Sequence, residues 1–373
     1  MKTITMFTLI ILLFSNLNLK AREKDDMREV PFQITLIPPI GTNGFYAGNT
    51  INRFSLNIIA GYAAGLEGVE FGGFANINRN VTTGVQFAGF TNISGGEISA
   101  VQFAGFANIN NGNTKGAQFS GFTNINNGPT NGLQAAGFAN FTRKDSKLVQ
   151  LAGFSNFSHN LEGTQIAGFC NLSSGTVEGV QISGFLNTAR IVKGVQVGFL
   201  NIADTVKQGI PIGFLSLVRN GFREFEIGFS EGLNTYASFK IGVKQFYNIF
   251  SIGMQSISDR FRWGWGYGIG THLTDREDYK VNLELMSYHI NEGVWFTNAY
   301  NGLQQAKLTI ARSVNENVSL FAGPTLNLMI SDYYKHGHLR SGSGFAPYHI
   351  SNHWSGSTNL KFWIGFNAGL RIH

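Results

Sequence analysis

The stretch Gly84-Val85-Gln86-Phe87-Ala88-Gly89-Phe90-Thr91-Asn92-Ile93 decides the fold, because the chain repeats its pattern about every 16 residues. Aligned on Gly-Phe, the glycines fall at 73, 89, 105, 121, 137, 153, 168, 184, 198 and 213, with occasional steps of 14 or 15. A fixed period of this kind is the mark of a stacked repeat. Turn-forming residues such as Ser94-Gly95-Gly96 and Asn110-Asn111-Gly112 separate the copies. Two polar columns keep the same phase. One contains Asn76, Asn92, Asn108, Asn124, Asn140, Asn156, Asn171, Asn187 and Asn201; the other contains Gln86, Gln102, Gln118, Gln134, Gln150, Gln165, Gln181 and Gln196.

If each repeat is one coil, neighbouring coils pair as parallel strands about 4.8 Å apart, and identical amides stack into hydrogen-bonded ladders. Roughly ten coils make a rod of about 48 Å at that spacing. Phenylalanines and aliphatics stacked in the same way are expected to form a narrow apolar core. Glycine before each Phe fits a place where two backbones approach too closely for a side chain. The competing arrangement makes each repeat a membrane strand plus a turn. It would require short turns at one end and longer loops at the other, yet the linkers look alike at both ends. The ladders therefore read as structural, with the amides satisfying one another.

After Phe222 the period becomes two. Tyr279, Val281, Leu283 and Leu285 alternate with Lys280, Asn282 and Glu284; Leu360, Phe362, Ile364, Phe366, Ala368, Leu370 and Ile372 share one face of the last segment. Alternation of this kind suits a strand with lipid on one side and a polar lumen on the other. Eight such segments are expected, near 223–231, 234–243, 245–255, 260–273, 278–290, 304–313, 317–331 and 359–372. Turns near Lys244, 274–278 and 313–317 are short, whereas 291–303 and 332–358 are long and fall at the same end. Outer-membrane barrels place short turns in the periplasm, so parity puts the C-terminus and the repeats there. The inward set, Glu224, Glu226, Lys240, Arg260, Arg262, Lys280, Glu284, Lys307, Lys361 and Arg371, carries both signs. In so narrow an interior this predicts a packed ion-pair network and no open pore.

The start of the chain reads as a secretory signal: Lys2, the apolar stretch 7–14 and a small residue at Ala21. That gives a signal segment (1–21), a charged linker with a strand pair that caps the repeats or joins the barrel (22–67), an all-β parallel solenoid (68–221) and an antiparallel outer-membrane-type β-barrel (222–373). No continuous apolar run reaches the length of a spanning helix, so any spanning structure is a barrel. The chain has 47 Gly and 33 Phe, and charged residues make up 13% against about a quarter in soluble domains. Its net charge of +6 forms no run suited to nucleic acid. The single cysteine, Cys170, reads as a small packing residue.

Residues 30–328 resemble the surface repeat-containing proteins of spirochaetes and Bacteroidetes. The resemblance is carried by Pro39-Ile40-Gly41-Thr42-Asn43-Gly44, Asn52-Arg53-Phe54-Ser55-Leu56-Asn57, the Gly-x-Gln-x-Ala-Gly-Phe-x-Asn repeats, Gly209-Ile210-Pro211-Ile212-Gly213 and Gly323-Pro324-Thr325-Leu326-Asn327. It implies surface exposure of the repeats, in contrast to the parity argument. His373 stands where barrels of this kind commonly end in an aromatic residue.

Two places have the residue types for chemistry. His336, His338, His349 and His353 cluster in the last long segment, where imidazoles at such spacing could hold Zn²⁺ or Cu²⁺; the alternative is an ordinary polar loop. Ser287 and His289 fall on the lipid-facing side of one strand. This is similar to the outward Ser and His of lipid A deacylases, with Ser activated by imidazole, although the order is reversed; anchoring at the interface is the alternative. Trp263, Trp265 and Tyr267 read as a girdle at the headgroups. Paired catalytic carboxylates, phosphate loops and dinucleotide fingerprints are lacking. The expected role is a non-enzymatic envelope scaffold without a cofactor. Its partners are outer-membrane lipid and a periplasmic protein or the cell wall; a surface-exposed adhesion or interaction protein is the alternative.

Overall fold

The protein is described by a computed structural model covering residues 27–256, 261–276, 278–332 and 342–373. The expected signal segment and Arg260 lie outside these residues. The chain divides into two compact units, residues 1–194 and 195–373.

In the first unit a typical coil, such as the one with Thr82–Ala88 and Thr91–Ser94, has a seven-residue strand, a Gly-Phe corner, a four-residue strand and a turn. Thr82–Ala88 pairs in parallel with Ile98–Ala104, which pairs with Thr114–Ser120, placing Gln86, Gln102 and Gln118 in one column. Thr91–Ser94 and its counterparts do the same for the asparagines. The register survives a 15-residue step, because Gln150 still faces Gln165. Arg28–Ile37 pairs in parallel with Thr50–Asn57 and that strand with Gly65–Gly72. This segment therefore belongs to the repeat sheet and adds no strand to the barrel.

The expected phenylalanine core is corrected by the structure. Interior positions hold the amides: Asn92, Asn108, Gln86 and Gln102 are 0% exposed, whereas Phe74 is 51% and Phe103 37% exposed. A 16-residue coil encloses too little space for rings. Flat amides fill it, and the Asn92 and Gln86 columns hydrogen-bond from coil to coil at the strand spacing. The rings stack at the same step on the outside, with centroids 4.6 Å apart for Phe74 and Phe90 and 4.7 Å for Phe90 and Phe106. The glycine column behaves as anticipated: a Cβ on Gly105 would lie 2.0 Å from the carbonyl oxygen of Gly89.

The second unit joins the last coils, where Leu200–Ile212 pairs with Leu215–Val218, to a closed eight-stranded antiparallel barrel. Its strands are Phe222–Ser230, Thr235–Val243, Phe246–Gln255, Arg262–Asp275, Lys280–Glu292, Asn301–Ser313, Val318–Ser331 and Thr358–Ile372. The first strand closes on the last through Phe225 with Ile372 and Ser230 with Asn367. Antiparallel order puts the strand ends Val243 and Phe246, Asp275 and Lys280, and Ser313 and Val318 at one end of the barrel, and Ser230 and Thr235, Gln255 and Arg262, Glu292 and Asn301, and Ser331 and Thr358 at the other. Ser216 N–H donates to Asn248 Oδ1 (2.9 Å), Asn248 Nδ2 donates to the carbonyl of Gly213 (2.9 Å) and Tyr267 O–H to that of Phe214 (3.0 Å). These contacts seat the coil on the outer wall of the barrel.

The first strand is shorter than the last, so their shared ladder stops at Asn367. A short strand, Ser351–Ser355, covers residues 358–362. Between them Glu231 fills the gap, accepting from Phe366 N–H (2.8 Å), Trp363 Nε1 (2.9 Å) and Asn327 Nδ2 (3.1 Å). Gly365 leaves the space, since a Cβ there would meet the Glu231 carboxylate. Glu231→Ala is expected to weaken the closure by about 1–3 kcal/mol per donor left unsatisfied. In detergent gels the folded band should disappear at a lower temperature than for the parent; an unchanged transition would contradict this role.

Candidate functional site

Both amide columns are continuous and run in opposite senses. Asn76 Nδ2 donates to Asn92 Oδ1 (3.0 Å) and to the carbonyl of Phe87 (2.9 Å). The same forked donation recurs at Asn92, Asn108, Asn124, Asn140, Asn156 and Asn171, always toward the next coil. Backbone carbonyls fix the orientation of these amides. The glutamines point the other way: Gln102 Nε2 donates to Gln86 Oε1 (2.7 Å) and Gln118 to Gln102 (3.0 Å), onward to Gln181 with Gln165 (2.8 Å). Opposed columns leave little net side-chain dipole along the stack. Asn187, Gln196 and Asn201 are buried as well, and Asn201 Nδ2 donates to the carbonyl of Ile212.

A column that donates toward lower numbers must begin on an acceptor. Glu70 fills that place, taking Gln86 Nε2 (2.8 Å), Asn78 Nδ2 (2.7 Å) and Asn57 Nδ2 (3.0 Å). Burial raises its carboxyl pKa above the ordinary range, while these amides and Ser55 pull it back. Asn57 likewise extends the asparagine column, donating to Asn76 Oδ1 (2.8 Å). Neither residue was assigned to a column from sequence, although Glu70 stands 16 positions before Gln86. Cys170 is buried in the stack between Ser155 and Leu186, and burial raises its thiol pKa.

With the ladders enclosed, the outer surface of the repeats is what a partner can reach. A groove of about 720 Å³ runs from Phe71 to Ile166. One wall is the column Phe71, Phe87, Phe103, Phe119, Ala135, Leu151 and Ile166; alanines such as Ala88 and Ala104 and the glycines 89, 105, 121, 137 and 153 form its floor. Ser120 is the one polar side chain in the lining. Beyond the floor the chain continues into the second outward column, stacked from Phe74 to Phe185.

The barrel lumen is filled by neutralised charge. Lys240 Nζ lies 2.5 Å from Glu226, 2.6 Å from Glu284 and 3.0 Å from Glu224. Arg371 Nε lies 2.7 Å from Glu226, and Lys307 sits 4.3 Å from the centre of the Tyr236 ring. Three carboxylates thus face three cations. Toward the long-loop end Arg262 Nε pairs with Glu292 (3.2 Å), Ser343 Oγ donates to Glu292, and Lys361 Nζ donates to the carbonyl of Ser343 (2.7 Å). Phe345 is fully buried against Trp363 and Leu233. These groups occlude the interior from the wall inward. Lys280 is only half-buried and lies at the short-turn rim.

Ser287 and His289 stand two residues apart on the outward face; His289 lies against Trp265 (6.2 Å between rings), and no hydrogen bond joins it to Ser287 among the described residues. Trp263, Trp265 and Tyr267 also face outward. Gly266 between them leaves room for Tyr288, whose ring would lie 2.5 Å from a Cβ there. His349 and His353 are exposed, and His336 and His338 lie outside the described residues. Among the described residues no three His, Cys, Asp or Glu side chains converge to hold a metal. No family model, curated protein or solved structure matches the chain.

Proposed function

We propose that the chain is a non-enzymatic envelope protein, exported by its N-terminal segment and anchored in the outer membrane by the barrel, with the repeats as an interaction scaffold on the periplasmic side. The observation that carries this reading is the sorting of the barrel wall. Phe225, Ile227, Phe229, Ile252, Leu285, Ile310, Leu320 and Phe366 are exposed outward, while Glu224, Glu226, Lys240, Glu284 and Arg371 are buried inside. A soluble barrel has no reason to expose so large an apolar band, and lipid removes its cost. The long connections share one end, and the first strand begins at the other, beside His373, whose Nδ1 lies 3.3 Å from Glu224. Outer-membrane asymmetry then favours a periplasmic position for the repeats. The amides cannot form the recognition surface because they are buried; the outward column from Phe74 to Phe185 takes that role, toward a periplasmic protein or the cell wall.

Protease added to intact cells tests the placement. The repeats should survive until the outer membrane is opened. Cleavage within 68–221 on intact cells would favour the surface-exposed interaction protein that the repeat resemblance implies.

A further inference from the structure

We propose that the groove along the repeats holds the acyl chains of membrane phospholipid. The inference rests on the membrane reading above and adds a ligand to it.

The groove is a continuous apolar trough with almost nothing to satisfy a polar occupant. Gly105, Gly121 and Gly137 on its floor already donate their N–H groups to carbonyls of the preceding coil, at 3.1 Å in each case. A peptide, glycan or nucleic acid laid there would lose hydrogen bonds to water and regain few. A hydrocarbon chain loses none. Shape agrees with chemistry. Seven coils line the trough, a length of roughly 29 Å at the strand spacing, and it is open to solvent along that length. An extended polymethylene chain can lie along it. A leaflet's acyl chain spans about 15 Å, half the hydrocarbon core, so two chains fit end to end. The wall also repeats without variation in polarity, as a ligand without registry requires. Exposed apolar surface on this scale marks a binding surface.

The second unit supplies an independent observation. There the second outward column, which lies beyond the groove's floor and is not its wall, ends on the barrel itself: Phe199 stacks on Phe214 (4.9 Å), and Phe214 stacks on Tyr267 (4.8 Å) and meets Phe250 edge-on (6.4 Å). Tyr267 and Phe250 belong to the outward wall read as facing lipid. The aromatic surface of the repeats and that of the barrel are thus built from the same side-chain chemistry and, in this unit, touch.

The test uses the full chain in phosphatidylcholine liposomes containing phosphatidylcholine with a diazirine at the end of one acyl chain. After irradiation, labelled peptides are mapped by mass spectrometry. Label is expected on the outward barrel strands and on the repeat segment 71–166. In the Phe87→Gln, Phe103→Gln, Phe119→Gln variant, repeat label should fall at least tenfold with barrel label unchanged. The single variant Phe103→Gln, with a smaller expected loss, serves if the triple variant does not keep its strand content. Label confined to the barrel would overturn the groove assignment. So would equal repeat label in parent and variant, or a doubled particle mass with the groove protected by a second copy. A barrel without label would overturn the membrane reading, and this inference with it.

Discussion

Asn124→Asp is expected to destabilise the repeats by about 3–5 kcal/mol at neutral pH, the cost of a buried charge without a partner, and to recover most of that loss on acidification. Asn124 Nδ2 donates to Asn140 Oδ1 and to the carbonyl of Ala135, while Asn108 donates to Asn124. A carboxylate keeps the acceptor role and loses both donations, and its charge sits where the native residue is 0% exposed. Protonation removes the charge and returns one donor. The folded-state pKa of the introduced carboxyl is therefore raised above its unfolded value. Its protonated form supports stability below the unfolded value, and that support is lost as pH rises through the folded one. Denaturant unfolding followed by circular dichroism across pH measures this. The exposed Asn131→Asp serves as control; equal behaviour of the two variants would mean that the amides are not stacked inside.

Lys240→Met should be of similar size in the barrel. It leaves Glu224, Glu226 and Glu284 facing Arg371 and the more distant Lys307, and removing one partner from a buried ionic cluster costs about 3–5 kcal/mol. Urea unfolding in lipid vesicles should show the loss. Adding Glu226→Gln, which removes one excess negative charge, should restore part of it. A neutral Lys240→Met, or a double variant worse than the single, would contradict the packed network.

Much of the architecture was legible because periodicity is a geometric signal. The Gly-Phe spacing gave the coil, and the change to alternation after Phe222 gave the barrel. The anticipated segment 245–255 is the strand Phe246–Gln255, and 317–331 is Val318–Ser331. What misled was hydrophobicity used to choose the inside of the coil. Alternation places Gln86 and Phe87 on opposite faces but does not say which face is enclosed; the narrow bore decides that in favour of amides. Glu70 was legible in phase with the glutamines, and only its all-acceptor chemistry explains why a carboxylate starts that column. Asn248 also left a trace, as a polar residue in the outward series Phe246, Phe250, Ile252 and Met254. Its partners Gly213 and Ser216 come from another part of the chain, so its reason could not be read locally. The groove emerged only when the phenylalanines proved to be outside.

The central claim is that amides line the inside of the repeats and aromatic rings cover the outside. Hydrogen exchange of side-chain NH₂ groups, observed by NMR on the membrane-reconstituted full chain with labelled Asn and Gln, tests it most directly. Slow exchange is expected for Asn108, Asn124, Gln118 and Gln134, and fast exchange for the exposed Asn131. Rapid exchange across the whole Asn and Gln set would contradict an enclosed ladder, and the outward aromatic surface would fall with it.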